Sequence, residues 1–275
     1  KKKLLILLTF ACVACLSAVL LTGCSSSNEE AESSEDTSAD ISTLIVGFDN
    51  SYPPYGFMDE NNEPTGFDLD LPAEDANRNG WELQLVAIDW DAKDALLNQD
   101  NINCIWNGFT MEGREDDYTF SEPYMLNEQV IVVKSDSGIT DFAGLADKTV
   151  VTQVDSAALD VLEGDQAELA GTFAELQTLS DYNNAFMQLE SGMVDAVACD
   201  LSIAQYQMSA NEGTYTMLEE PLSSEHYAVG FKKGNEALAQ QVTDTLKEMY
   251  EDGTVEELIN KYADYGMNIE NWVLK

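Results

Sequence analysis

Short apolar runs recur along this chain, separated by stretches of helical character. Leu44-Ile45-Val46-Gly47-Phe48, Trp81 to Ile88, Ile102 to Trp106, Gln129 to Val133, Lys148 to Gln153 and Val194 to Val197 each read as a buried strand. Helical stretches follow Gly66, open at Asp89-Trp90-Asp91, open again at Val154-Asp155-Ser156 and run from Leu201 to Met208. Apolar strands that alternate with helices specify an α/β architecture with mainly parallel sheets. Such sheets bind ligands beyond the carboxyl ends of their strands, and Asp49, Gly108 and Asp200 stand at those ends.

The pattern also repeats. Leu97-x-x-Asp100-x-Ile102-Asn103-Cys104-Ile105 has a counterpart in Leu189-x-x-Gly192-x-Val194-Asp195-Ala196-Val197. Each reads as a helix end, a tight turn and a buried strand; chance similarity of such units is the plain alternative. Two lobes built alike are therefore expected, and 275 residues leave room for both. Residues 43–131 with 227–275 are assigned to lobe 1 and 132–226 to lobe 2. Crossovers near 130–135 and 223–229 form a hinge. His226 to Phe231 reads as the returning strand, and Glu236 to Met249 and Val255 to Tyr262 as amphipathic helices. One helix fits poorly: Pro72 is placed in its first turn, and Asp75 and Asn79 fall where apolar residues should face a sheet.

The start of the chain carries an address. Lys1, Lys2 and Lys3 precede an apolar run from Leu4 to Leu21 and then Leu21-Thr22-Gly23-Cys24. Residues 1–23 read as a signal peptide. The sequence before Cys24 resembles a bacterial lipobox, which implies lipidation of Cys24 and a membrane anchor on the outer face of the cytoplasmic membrane. Residues 24–42 are mostly Ser, Glu, Asp and Ala without an aromatic residue, which reads as a disordered acidic tether. Cys104 and Cys199 then remain in the folded part, in apolar runs that favour buried free thiols. The formal charge of −38 excludes nucleic acid and anionic lipid as partners. With His226 as the single histidine and no Cys/His spacing, no metal and no cofactor is expected, and triad chemistry is disfavoured.

The stretch from Trp106 to Arg114 is the candidate centre. It turns out of a strand through Asn107 and Gly108 and delivers the Thr110 hydroxyl and the Arg114 guanidinium within a few residues. A strand end, a hydroxyl and an Arg fork suit a small carboxylate. The plain alternative is a surface loop with a solvated Arg.

The chain resembles the polar-amino-acid-binding lipoproteins of bacterial ABC transporters, solute-binding proteins of the type II periplasmic fold. Tyr52-Pro53-Pro54-Tyr55, Gly66-Phe67-Asp68-Leu69-Asp70-Leu71, Gly108-x-Thr110-x-x-x-Arg114, Phe120-Ser121-x-Pro123-Tyr124 and Asp252-Gly253-Thr254 carry the resemblance. It implies a monomeric, two-lobed receptor that captures a free amino acid and delivers it to a permease. Arg114, Thr110, Ser156 and Ala157 would hold the α-carboxylate, and Asp200 with the Gly108 carbonyl the α-ammonium. Asp49, Tyr52, Trp90 and Gln153 would line the side-chain pocket; core packing is the alternative for the two aromatics and a turn-stabilising role for Asp49. Trp106 and Asn107 could shape the pocket floor, with core packing favoured for Trp106. A zwitterion in a closed cleft needs one cation and one anion, since unpaired buried charge is costly. Without a lysine or second arginine in the pocket, a polar neutral amino acid or cystine is favoured. Three departures stand out: one residue fewer between Thr110 and Arg114, Asp155 at a position where Gly is common, and Asn103 in place of Asp.

Two other classes fit the same fold, a cyclohexadienyl-dehydratase-like lyase with Asp49 or Asp200 as general acid and a ligand-sensing module. The lipobox yields a direct expectation. In a bacterial host fed a labelled fatty acid, the chain should carry label and sediment with membranes, and Cys24→Ser should lose both.

Overall fold

The computed structural model describes residues 41–275. The expected signal peptide, Cys24 and the expected tether up to residue 40 lie outside the described residues. The chain opens with β1 (Thr43–Phe48), the short strands β2 (Ser51–Tyr52), β3 (Gly56–Met58) and β4 (Pro64–Thr65), then α1 (Phe67–Asn79) and β5 (Glu82–Ala87). α2 (Lys93–Asn98), β6 (Cys104–Ile105), β7 (Tyr118–Phe120) and β8 (Met125–Lys134) follow. Next come β9 (Thr149–Gln153), α3 (Ala157–Glu163), α4 (Ala167–Ala170), β10 (Glu175–Leu179), α5 (Tyr182–Ser191) and β11 (Ala196–Asp200). The chain ends with α6 (Leu201–Ala210), β12 (Tyr215–Met217), β13 (Ser223–Tyr227), β14 (Gly230–Lys232), α7 (Glu236–Glu251) and α8 (Thr254–Lys261).

Two mixed sheets organise these elements. The first runs β5-β1-β6-β14-β7 and the second β10-β9-β11-β8-β12, with β13 also on β8. In each sheet the leading strands are parallel, β1 with β5 and β6, and β9 with β10 and β11. The later strands join antiparallel. The expected repeat is thus a repeat of architecture, and its small details match. Asp100 (φ 59°) and Gly192 (φ 75°) both turn the chain through left-handed backbone before the third strand. Asn103 Oδ1 accepts the Ile45 N–H at 2.7 Å, and Asp195 Oδ2 accepts the Thr149 N–H at 2.9 Å. Asn103 therefore performs the same tie to the first strand as Asp195. Side chains on β11 alternate: Ala196 and Ala198 pack with Leu145 and Leu162, and Val197 and Cys199 with Phe186 and Leu189. Cys104 and Cys199 are buried free thiols.

Four sequence expectations are corrected. The ladder at Ile102 to Trp106 is confined to Cys104–Ile105, because flanking groups bond singly to β1 through Asn103 N–H to Ile45 and Trp106 N–H to Gly47. α1 begins at Phe67, whose N–H bonds to Pro54, so Pro72 lies inside the helix and removes the bond to the Asp68 carbonyl. His226 to Phe231 is not one strand: β13 ladders with β8 in the second sheet and β14 with β6 and β7 in the first. The first passage between sheets lies at residues 121–124, before β8, rather than at 130–135 inside it.

Asp75 and Asn79, which stand where apolar residues were expected, face polar groups on α7. Asn79 Nδ2 donates to Thr245 Oγ1 at 2.9 Å and to Asp75 Oδ1 at 3.2 Å, and Gln241 Nε2 donates to Asn79 Oδ1 at 2.7 Å. Burial pushes the Asp75 carboxyl up to about 7. A carboxyl raised in the folded state stabilises fully at low pH and loses that contribution as pH rises through about 7. Asp75→Asn has no charge to bury, so its advantage over the wild type should grow between pH 5 and pH 8. By pH 8 it should reach about 1–2 kcal/mol in denaturant titrations.

Candidate functional site

Strand ends and the loops beyond them build one cleft. β6 runs into Asn107-Gly108-Phe109-Thr110, β9 ends at Gln153, β11 ends at Asp200, and Ser156 caps α3. Tyr52, Trp90, Gly108, Thr110, Arg114, Gln153, Ser156, Ala157 and Asp200 line the cleft together with Asn107. Asp49 is the expected residue that does not reach this wall. Its carboxylate accepts the Ser51 N–H at 2.8 Å and Gln153 Nε2 at 2.7 Å, so the turn role and a tie to the second sheet are both real. Burial pushes its pKa upward against those two bonds.

A second meeting of the halves is the turn at Asp155. Asp155 takes left-handed backbone at φ 54°, and its carbonyl accepts from Trp90 Nε1 at 3.1 Å and Arg114 Nη2 at 3.3 Å. Arg114 Nη2 also bonds Asp160 Oδ2 at 2.8 Å, and Lys93 Nζ stands 3.6 Å from Asp155 Oδ2. A side chain at position 155 therefore does not prevent close backbone approach. The shortened spacing after Thr110 still brings Arg114 into the cleft, its guanidinium 5.0 Å from the Phe109 ring centroid. Trp90 is buried and meets Phe109 edge-on, so it serves core and wall at once.

Asp200 faces the cleft from the other half. Tyr227 Oη, Asn127 Nδ2 and Gln129 Nε2 donate to its Oδ1 at 2.8, 2.9 and 2.7 Å, and Tyr182 Oη approaches Oδ2 at 3.4 Å. Burial pushes this carboxyl upward despite those donors. Thr110 lines the cleft, yet its hydroxyl donates to Glu225 Oε1 at 2.8 Å. Ser156 Oγ accepts the Leu159 N–H at 3.2 Å, which fixes the start of α3 beside Ala157.

Glycine is required at position 108. Its φ is +56°, and a Cβ there would lie 2.9 Å from Tyr52 Cε1 and 3.0 Å from Tyr227 Cε2. Asp68 holds the turn: its Oδ2 accepts the Gly108 N–H at 2.5 Å and Tyr124 Oη at 2.6 Å, and burial pushes the carboxyl up to about 7. In the sequence Asp68 stands within the Gly66 to Leu71 motif with no role at the site. Sequence reasoning also missed Asn127, Gln129 and Glu225. A period-2 reading of Asn127-Glu128-Gln129 and Ser223-Ser224-Glu225-His226-Tyr227 would have put their polar residues on one face.

A model of the bacterial extracellular solute-binding proteins, family 3, matches residues 44–265. The chain belongs to this family. As a family-3 solute-binding protein it is 29% identical over 223 residues to the L-cystine-binding protein TcyJ of Escherichia coli, across 80% of this chain and 82% of that protein. It is 27% identical over 270 residues to the L-cystine-binding protein TcyA of Bacillus subtilis, across 95% and 97%. Its fold superposes on an ABC uptake transporter substrate-binding protein of Streptococcus pneumoniae solved with bound histidine, with a TM-score of 0.78, 30% identity and coverage of 80% and 92%. The type II fold expected from the sequence is the fold found.

The turn at Gly108 gives a test that needs no ligand. Gly108→Ala should cost about 1–3 kcal/mol and lower the melting temperature by about 3–8 °C in calorimetric scans. An unchanged melt would mean that the ring contacts at this turn relax freely.

Proposed function

We propose that this family-3 protein captures a free amino acid between its two halves and delivers it to an ABC transporter permease. One observation carries the reading: Arg114, reached from the first sheet, and Asp200, at the end of a strand of the second, line the same small cleft. A guanidinium and a carboxylate that line one cleft match the two charges of an amino acid. Arg114 would take the α-carboxylate, with the Thr110, Ser156 and Ala157 backbone beside it. Asp200 and the Gly108 carbonyl would take the α-ammonium, and Tyr52, Trp90 and Gln153, backed by Asp49, would receive the side chain. Charge-assisted bonds contribute about 1.5–3 kcal/mol each, so a few of them, net of ordering, support roughly micromolar affinity.

Arg114 is the one cation among the described residues that line the cleft, which disfavours an acidic ligand and leaves a polar neutral amino acid or cystine as the favoured class. Two of the relatives described above are named for cystine. Closure would turn about the passages at 121–124 and 228–229, and Trp90, Lys93 and Arg114 meeting Asp155 and Asp160 would fasten it. We read the chain as a monomeric binding protein rather than a lyase, since those relatives are named as binding proteins. The lipobox supports an anchor at Cys24 on the outer face of the cytoplasmic membrane.

A thermal-shift screen of the twenty protein amino acids and L-cystine identifies the ligand. Arg114→Ala and Asp200→Ala should each weaken its binding about 100-fold or more in calorimetry, with native circular dichroism. Near wild-type affinity in either variant would sink the zwitterion model.

A further inference from the structure

Asp200 has a second carboxylate beside it. Glu225 is buried on β13, 3% exposed, and no family motif quoted above contains it. Asn127 Nδ2 donates to Asp200 Oδ1 at 2.9 Å and to Glu225 Oε1 at 2.8 Å. Gln129 Nε2 donates to the same two oxygens at 2.7 Å each. One nitrogen bonded to both keeps those oxygens within about 5.5 Å of each other. Neither carboxylate takes part in any ion pair among the described residues.

The groups that face the pair supply no compensating charge. Tyr52, Tyr182 and Tyr227 are phenols, and Cys199 a thiol, that burial holds well above their usual values, so all stay neutral near pH 7. Thr110 offers Glu225 a hydroxyl. On the outer side Glu112, Asp160 and Asp165 line the opening next to Glu225 and add negative potential. Arg114 is bonded to Asp160, and His226 to Glu112. Two buried carboxylates this close, without a cation, cannot both ionise cheaply. Burial and the Asp200 charge push Glu225 up to about 7.

We propose that Glu225 is a positioning residue of the ammonium subsite: it and Asp200 share one proton when no ligand is bound, and the α-ammonium of an incoming amino acid displaces that proton to solvent. This rests on the amino-acid reading above. The ammonium favours the ionised pair, so it lowers the pair's affinity for protons. Ligand binding is then strongest above about pH 7 and weakens as pH falls through that value, where the proton competes. A Glu225 that merely ties Thr110 to the two amides would produce neither proton release nor a pH slope.

The test uses the wild-type chain and a ligand found by the thermal-shift screen. Calorimetry in phosphate and in Tris, whose ionisation heats differ, counts protons exchanged. We expect release of about 0.3–1 proton per ligand at pH 7, and affinity about three- to tenfold weaker at pH 6 than at pH 7.5. Glu225→Gln should at least halve both quantities. Binding without proton release, or a Glu225→Gln variant with the wild-type slope, overturns the proposal and leaves amino-acid capture standing. If the variant does not fold, the wild-type proton count decides alone. No thermal shift with any of the amino acids or L-cystine overturns the amino-acid reading and this inference with it.

Discussion

A carboxylate taken out of water must find donors, and Asp200 finds them on strands that pass close to the junction of the two sheets. Asn127 and Gln129 come from β8, and Tyr227 from the end of β13, one residue before the chain leaves for the first sheet. The network therefore does two things at once. It keeps a charged group in the cleft at the end of β11, and it fixes the register of the strands about which the halves would turn. Tyr227 extends it to Tyr52 through a 3.0 Å bond and packs under Gly108, so the first sheet's turn is shaped by the same ring. Loss of any donor leaves a buried acceptor unpaired, which costs more than the bond itself contributes.

Several of the polar contacts between the halves converge on the turn at Asp155. Trp90, Lys93 and Arg114 reach it from three different elements, and a single left-handed residue presents both its carbonyl and its carboxylate to them. These polar contacts stand beside a buried apolar cluster that runs through both sheets, with Tyr52 against Tyr182 at the junction. Under the capture reading proposed above, the Asp155 turn would be among the contacts that part to admit a ligand. It also gives Arg114 two uses, since a guanidinium has donors enough for Asp160 and for a bound carboxylate.

Much of this was legible in the residues. The strand runs, the repeat and the turn from Asn107 to Arg114 depend on neighbours in sequence, where periodicity and turn chemistry speak directly. Nine of the residues chosen for the cleft line it together. The polar residues of α1 were misread because their partners, Thr245 and Gln241, lie on α7, far along the chain. Glu225 was missed because an acidic residue in a short strand looks like a solvated face until β8 packs against it. The split of His226 to Phe231 into two strands was illegible for a related reason: nothing local at Ala228 and Val229 marks a change of sheet.

The sequence by itself determined the class of fold, the doubling of the architecture and the residue types that end each strand, because alternation, apolar run length and turn residues act over a few positions. The tertiary structure decided which charges meet. Whether Asp49 faces ligand or Gln153, whether Arg114 is idle or held by Asp160, and whether Asp200 stands alone or beside Glu225 are all set by groups tens of residues away. Burial and proximity, which fix the state of a titratable group, exist only once those distant strands have come together.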